Sequence, residues 1–321
     1  MAFVTDKDQS KAIISAAVGK KVSLALFCTA SFWNTEAILH AADTFARAHN
    51  IKNIPVVVAM TSNYAHMQQA RRVTYSKNAK IGLEAIMRYC KLLCDGPDAP
   101  YRNVTAMTHL DHADPAVDTW ALTECADLLS SVMFDAQAYP YEENLRMTKD
   151  YVKKYGGGVL VEGIVEGLAV GGGQLARQND DYIDKAVRFV SETGVDFLVA
   201  DLGTEQQSAG TGAVYLKDRA QSLTKNLGRP MLVLHGVSSL KDEDIRGFSD
   251  DGVVRVNMWT RIVRQSGLYA AEQLIARYGK MQQNDFEATE SMAYINDNIA
   301  NASAYMQEVM GQLNYAALAG N

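Results

Sequence analysis

The chain has 321 residues, a formal net charge of −6 and a pI near 5.6. An acidic balance argues against nucleic acid as the main partner. We find no run of about 18 apolar residues, so no membrane span is expected, and the polar start lacks the apolar segment of a secretory signal. The four cysteines show neither disulfide-type nor zinc-ribbon spacing, which favours free thiols in a reducing cytoplasm.

Eight short apolar runs recur along the chain, each followed by a longer amphipathic stretch. Their apolarity is continuous rather than alternating, which indicates strands buried on both faces, as in a parallel sheet. The runs begin at Ser23, Pro55, Val104, Ser131, Gly158, Phe197, Pro230 and Val253. Eight strand–helix units in succession predict an α/β fold of one domain over residues 1–321, a closed (β/α)8 TIM barrel. An open, doubly wound sheet is the alternative.

The stretches between the runs carry helix start and stop signals. Predicted caps or first residues are Asn34 or Thr35, Asp114 with Pro115, Asp180 with Asp181, and Ser238 with Ser239. Gly194 is predicted to end the helix that begins near Asp181, because glycine accepts the left-handed conformation of a helix end. The tail after about Arg277 is predicted to add C-terminal helices outside the barrel.

Polar residues stand at the carboxyl ends of the runs, where barrels of this type carry their chemistry. They are Cys28, Thr61, Ser62, Asp111, His112, Asp135, Glu162, Glu166, residues 203–206, His235, Gly236 and residues 257–260. Two histidines and several carboxylates would converge on one mouth, a set suited to a divalent metal and an acid–base group. A histidine in an apolar strand is more often a core residue, so a structural role stays open. The other histidines, His40, His49, His66 and His109, are interpreted as structural.

Four motifs resemble those of the class II, metal-dependent fructose-bisphosphate aldolases. LDHADP at residues 110–115 resembles the Leu-Asp-His-Gly signature, and SVMFDAQAYPYEENLRMT at residues 131–148 resembles the second and most specific signature. LVLHGVSS from residue 232 resembles the Leu-His-Gly-Gly-Ser segment, and VRVNMWT from residue 254 the Val-Asn-x-x-Thr segment. The matches cover nearly the whole chain in the family order.

The resemblance implies a reversible aldol cleavage of a ketose phosphate through an enediolate, with zinc as the usual metal. Asp111 then takes the acid–base role, and His112 and His235 bind the metal. Residues implied to contact the substrate or its phosphate are Gly236, Ser238, Asn257 and Thr260. Further candidates are Asp135, Glu162 and Glu166. The two glutamates are alternatives, because the segment VEGIVEGL can be aligned with either one on the glutamate of the family's Val-Glu pair.

The chain departs from the family pattern at the sixth run, where the family has Gly-Thr-x-His-Gly. Gln206 stands at the middle metal-binding histidine, and Gln207 at a glycine that helps bind phosphate. We predict Glu205 or Gln206 as a third metal contact, with Glu205 favoured for its charge. Other replacements are Gln174 and Leu175 in the loop that carries the family's proton-donating Glu, Cys28 on the first run and Trp259 on the eighth.

These changes gather in the mouth and spare the body of the chain. They predict an aldolase-like lyase with a changed substrate or metal site. An isomerase or epimerase on the same metal site, and a non-catalytic barrel that binds sugar phosphate, are the alternatives. No run ends in lysine, so Schiff-base catalysis is not expected. We expect a sugar or sugar phosphate as ligand and a cytoplasmic homodimer or homotetramer.

Overall fold

The computed structural model describes residues 2–170, 181–208, 210, 212–289 and 291–320. The strands are β1 (Phe3–Val4), β2 (Leu24–Cys28), β3 (Ile54–Thr61), β4 (Val104–Ala113), β5 (Ser131–Phe134), β6 (Leu160–Ile164), β7 (Phe197–Val199), β8 (Leu232–Leu234) and β9 (Val253–Met258). Strands β2 to β9 are all parallel, and pairing of β5 with β4 closes the ring. The predicted closed barrel is confirmed, and the open-sheet alternative is wrong.

Each of the eight predicted runs forms one barrel strand, and every residue of β2 to β9 is buried. One face of each strand points into the barrel and the other lies under the helices, so both need apolar residues. Strand β1 was not predicted. It pairs with β4 through Phe3 and Ala106, ahead of the point where β5 joins β4.

The helices surround the barrel. They are α1 (Lys7–Gly19), α2 (Phe32–His49), α3 (Ala79–Cys94), α4 (Thr119–Glu124), α5 (Tyr141–Tyr155), α6 (Tyr182–Thr193), α7 (Lys217–Leu227), α8 (Thr260–Gln282), α9 (Phe286–Thr289) and α10 (Ser291–Gln312). Helix α6 ends at Gly194 with φ of +73°, as predicted. Helix α2 begins earlier than predicted, because Ser31 and not Asn34 or Thr35 caps it: its hydroxyl accepts the N–H of Asn34 at 3.2 Å.

Two other predicted helix starts are wrong. Asp114 accepts the N–H of Ala116 at 2.8 Å, which stabilises a turn, and α4 begins only at Thr119. Ser238 and Ser239 themselves lie in a 3₁₀ turn, and two more short 3₁₀ turns follow them in place of the predicted α-helix. Gly247 interrupts them with φ of +84°, a conformation that an α-helix cannot include.

Additional C-terminal helices follow the last strand. Helix α8 runs without a break through Arg277, so the predicted start of the extension lies inside a helix. Helix α10 packs against α2 and α8, and the buried Tyr315 hydroxyl accepts the N–H of Ala25 at 2.8 Å, which ties the tail to β2. Among the described helices, none combines the length and apolarity that crossing a bilayer requires.

Candidate active site

A pocket with about 460 Å³ of empty space lies at the carboxyl ends of the barrel strands. It is lined by Cys28, Thr61, Tyr64, Met67, Gln69, Asp111, His112, Gln206, Gln207, His235, Gly236, Val237, Ser238, Asn257, Trp259 and Thr260. Most of the residues predicted at the strand ends are therefore neighbours in space. They come from sequence positions as much as 232 residues apart, which only closure of the barrel brings together.

Asp111 and His112 both reach this pocket, although neighbours on a regular strand point to opposite faces. The pairing of β4 with β5 shifts register between Leu110 and Ala113, and His112 has φ of +45°. A bulge of this kind re-aims a side chain toward the end of a barrel. The left-handed conformation costs a non-glycine residue about 1–2 kcal/mol, which contacts of the His112 side chain have to offset.

The ring of His112 is fixed on two sides. Its Nδ1 lies 2.7 Å from Oδ2 of Asp135, and the ring stacks on Tyr64 with centroids 4.1 Å apart. Because an ionised carboxylate only accepts, Nδ1 carries the proton and Nε2 is left to face the pocket. Burial lowers the pKa of His112, but the carboxylates of Asp111 and Asp135 outweigh it and raise the pKa above its ordinary value.

His235 faces His112 across the pocket, with its Nδ1 3.2 Å from Nε2 of His112. Its other ring nitrogen is buried and has no hydrogen-bond partner within the described part of the chain. Burial lowers the pKa of His235 to about 4, so its ring is neutral at neutral pH. Gly236 follows with φ of +69°, and a Cβ there would lie 2.7 Å from the backbone carbonyl of Glu205. A glycine at this position therefore lets the backbone of Glu205 approach closely.

Asp111 is held at one oxygen. Its Oδ2 accepts from Nδ2 of Asn257 at 3.0 Å, and the Cys28 thiol lies 3.1 Å from Oδ1 of the same asparagine. Burial raises the pKa of Asp111, but the two pocket histidines more than compensate, so the net shift is downward and the carboxylate is ionised. Burial also raises the pKa of Cys28, which keeps the thiol protonated.

Three of these side chains form a group able to hold a metal ion. Ligand atoms of Asp111, His112 and His235 all lie within 4.8 Å of one another. Zinc holds imidazole nitrogens at about 2.0–2.1 Å, so two nitrogens on a tetrahedral ion lie about 3.3 Å apart. The 3.2 Å between the facing nitrogens of His112 and His235 fits that requirement. The same distance suits a hydrogen bond between the two rings, so the geometry accommodates either a proton or a cation between these nitrogens.

The segment after β7 supplies amides to the pocket. Gln206 lies with Nε2 3.1 Å from Nε2 of His112, and Tyr64 donates its hydroxyl to Oε1 of Gln206 at 2.9 Å. Gln207 also lines the pocket and has φ of +57°. Glu205, the predicted third ligand, is half-buried and does not line the pocket. The geometry thus places Gln206, rather than Glu205, beside the histidines.

Ser238 and Thr260 line the other side of the pocket. Ser238 follows β8 and accepts the N–H of Arg261 at 3.1 Å, and Thr260 is the first residue of the long helix α8. Loops after the seventh and eighth barrel strands, together with a helix N-terminus, form the usual phosphate site of such barrels. Both residues lie where such a barrel can hold a phosphate, and their contacts with it stay a prediction.

The two glutamates of β6 and its loop lie outside the pocket lining. Glu162 is fully buried inside the barrel, where Arg255 donates to it at 2.6 Å. Burial raises the pKa of Glu162 to about 7 although Arg255 opposes the shift. Glu166 is half-buried beyond the end of β6. Gln174, Leu175 and Asp180 lie outside the described residues.

Sequence reasoning missed the loop after β3. Tyr64, Met67 and Gln69 line the pocket, and Tyr64 contacts both His112 and Gln206. These residues belong to none of the motifs and follow no periodic pattern. The one available signal was their position after a barrel strand, because loops there carry site residues.

The sequence of this chain is similar to those of known aldolases. The family model of class II fructose-bisphosphate aldolase matches residues 8–316. A fructose-bisphosphate aldolase of Streptococcus pneumoniae is 29% identical over 272 residues, which is 78% of this chain and 86% of that protein. A 6-phospho-5-dehydro-2-deoxy-D-gluconate aldolase of Shouchella clausii is 33% identical over 166 residues, 49% of this chain and 53% of that protein.

Solved structures share the fold. The fructose-bisphosphate aldolase of Campylobacter jejuni superposes with a TM-score of 0.75 at 17% identity, over 98% of this chain and 96% of the other. The YdjI aldolase of Escherichia coli K12 superposes with a TM-score of 0.62 at 20% identity, over 93% of this chain and 95% of the other. At this identity the likeness bears on the barrel and not on the substrate.

Proposed function

Because the chain belongs to the class II fructose-bisphosphate aldolase family, and is thus a lyase of the aldol-cleaving type, we propose that Asp111 is its acid–base group and that His112 and His235 hold its metal. The family depends on a divalent metal and acts on sugar phosphates, and we propose zinc as the ion. The observation that carries the assignment is the convergence of one carboxylate and two imidazoles within 4.8 Å.

The protein residues fit such an ion. His112 offers Nε2 because Asp135 takes its other nitrogen, the usual second-sphere arrangement of a metal-binding histidine. His235 offers the nitrogen that faces it at 3.2 Å. We propose Gln206 as the third contact through its oxygen Oε1. This requires the amide to rotate, because Nε2 is the atom that lies 3.1 Å from His112 and Oε1 accepts from Tyr64. When bound, the cation supplies Lewis-acid polarisation of the substrate carbonyl.

Asp111 then transfers the proton of the substrate hydroxyl when the carbon–carbon bond breaks. In the cleavage direction its carboxylate accepts the proton of the hydroxyl beside the breaking carbon–carbon bond, and that hydroxyl becomes the aldehyde of the acceptor product. In the condensation direction the same proton returns. The ionised state of Asp111 and its fixed bond to Asn257 suit this work, since a general base needs the correct protonation state and orientation.

The anionic end of the substrate would lie against Ser238 and Thr260 at the start of α8. Gln207 narrows this region, because a side chain stands where the family has glycine. A phosphate held by backbone N–H groups would be crowded there. We therefore propose a ketose substrate with a smaller or shifted anionic group.

We also propose that the protein is a cytoplasmic homodimer or homotetramer, and light scattering would measure the size of the oligomer.

One experiment separates this function from its alternatives. Protein purified without chelator is analysed for bound metal, then tested for solvent-proton exchange into dihydroxyacetone phosphate and for cleavage of ketose phosphates. Bound metal with both activities supports the aldolase. Exchange without cleavage of any ketose points to an isomerase or epimerase, and absence of metal and of exchange points to a binding barrel.

A further inference from the structure

Directly beneath the mouth, four fully buried polar side chains form a connected group inside the barrel: His109, Ser131, Glu162 and Arg255. Arg255 donates through one nitrogen to Glu162 Oε1 at 2.6 Å and to Ser131 Oγ at 3.1 Å. Ser131 Oγ in turn lies 2.8 Å from Nδ1 of His109. Burying such groups is costly unless each has a partner, so this arrangement needs a reason beyond packing.

The hydrogen bonds of Ser131 determine the tautomer of His109. A guanidinium only donates, so Ser131 Oγ accepts from Arg255 and keeps its own hydrogen to donate. Among the described contacts of this hydroxyl, Nδ1 of His109 is the acceptor that remains. The opposite tautomer would leave the hydroxyl hydrogen without an acceptor in the protein interior, which is unfavourable. His109 therefore carries its proton on Nε2.

Nε2 of His109 has two carboxylates near it, of which Glu162 is the nearer and Asp111 belongs to the site. It lies 4.0 Å from Oδ1 of Asp111 and 3.5 Å from Oε2 of Glu162. All three atoms are buried and have no hydrogen-bond partner within the described part of the chain. Arg255 already holds Glu162 by its other oxygen. Asn257 likewise holds Asp111 by Oδ2, so Oδ1 is the free oxygen of the catalytic carboxylate.

We infer that His109 is a positioning residue for Asp111, fixed as the Nε2–H tautomer by Ser131 and Arg255 so that its N–H faces the free oxygen of that carboxylate. The inference rests on the proposed acid–base role of Asp111. A side-chain adjustment of about 1 Å would bring the two atoms into hydrogen-bond distance. Asp111 is then held at both oxygens, from Asn257 above and from His109 below, and its direction toward the substrate hydroxyl is fixed.

Ser131→Ala removes the hydroxyl that connects Arg255 to His109, and Ser130→Ala is the matched control. Both serines are fully buried neighbours, but Ser130 donates to the backbone carbonyl of Thr108 and does not touch His109. Long-range proton–nitrogen spectra of histidine-labelled protein report the tautomer directly. We expect Nε2–H for His109 in the wild type and in Ser130→Ala, and a mixed or reversed tautomer in Ser131→Ala.

Activity gives a second readout. With the ketose that the wild type cleaves fastest as the probe, Ser131→Ala is expected to lower kcat by about 10- to 100-fold, by analogy with residues that orient metal ligands. The KM and the metal content should stay unchanged. Exchange of the carbon-bound proton of dihydroxyacetone phosphate should also persist, because that step does not use the hydroxyl proton that Asp111 carries. If Ser131 had only a structural role, its loss would affect kcat, KM, metal content and proton exchange together or none of them.

A rescue pair tests the N–H itself. His109→Gln keeps an N–H near the position of Nε2, whereas His109→Met has similar bulk and no donor. We expect His109→Gln to cleave faster than His109→Met at equal metal content. Equal cleavage by both, or an unchanged tautomer in Ser131→Ala, overturns the inference. A wild-type protein without cleavage or exchange contradicts the proposed function instead, and the tautomer measurement still decides the inference.

Discussion

The residues that β4, β8 and β9 bring to the mouth are ionisable groups and their partners, whereas the segment after β7 brings two neutral amides. Among the first, His112 is bonded to Asp135 and Asp111 to Asn257. The amides are Gln206 and Gln207, at positions where the resemblance leads us to expect histidine and glycine. The ionisable residues are the groups suited to proton transfer and metal binding.

The difference suggests which part of the activity has changed. An amide is a weaker metal ligand than imidazole and cannot take up or release a proton near neutral pH. We therefore expect the replacements after β7 to alter metal affinity and substrate fit, and not the acid–base role proposed for Asp111. Four predictions test this division between the ionisable residues and the amides, and we give them in order of decreasing effect.

The first prediction concerns the metal. His112→Ala and His235→Ala should each lose the bound cation and the activity, because a site with few protein ligands cannot spare an imidazole. Gln206→Ala and Glu205→Gln should keep most of the metal at saturating concentration. Elemental analysis after gel filtration measures this. Loss of metal in Glu205→Gln alone would show that Glu205, and not a histidine pair with Gln206, completes the site.

The second prediction concerns Asp111. Asp111→Asn keeps the shape of the side chain but cannot accept the hydroxyl proton, so turnover in ketose cleavage should fall by about 10²–10⁴. Thermal stability and metal content should stay near those of the wild type. Asp43→Asn, a buried substitution on α2 outside the mouth, is the control and should retain activity. Near-normal turnover in Asp111→Asn would assign the acid–base role to another group.

The third prediction concerns the partner of His112. Asp135→Asn removes the carboxylate that holds Nδ1–H, so the ring is less basic and less fixed, and metal affinity should fall by about 10- to 100-fold. Titration with a competing chelator measures the change. Excess metal should restore much of the activity, which separates this variant from Asp111→Asn. An unchanged affinity would mean that stacking on Tyr64 alone orients His112.

The fourth prediction concerns Gln207 and has the smallest expected effect. Gln207→Gly removes the side chain that crowds the proposed phosphate region and suits the backbone φ of +57° at this position. We expect a lower KM for phosphorylated ketoses and little change for unphosphorylated ones, measured side by side. Wild-type protein that already binds fructose 1,6-bisphosphate as tightly as the variant would contradict the crowding argument.

Much of the barrel was predictable from sequence because its signal is local and repeated. Continuous apolar runs identified all eight barrel strands, and Gly194 marked a helix end correctly. The missed features depend on competing local hydrogen bonds. Ser31 capped α2 in place of two plausible neighbours, and Asp114 stabilised a turn in place of a helix start.

The site was only partly predictable. Motifs on single strands identified Asp111, His112 and His235, which the barrel brings together. Spacing could not show that Glu205 would lie outside the pocket lining and Gln206 within it, because these residues follow β7 in a loop, where side chains have no fixed period. Nor could it choose between Glu162 and Glu166, which lie respectively inside the barrel and beyond the strand end.

By itself, the sequence determined the number and order of the eight barrel strands and the residue types at their ends, because burial on two faces imposes a pattern that each segment carries alone. Only the tertiary structure decided which of those residues share one environment. The bulge at His112 aims two neighbours into one pocket, and the Arg255–Ser131–His109 chain joins β9, β5 and β4 beneath Asp111. These contacts link residues as much as 124 positions apart, so no local pattern encodes them, and the closed barrel fixes their distances.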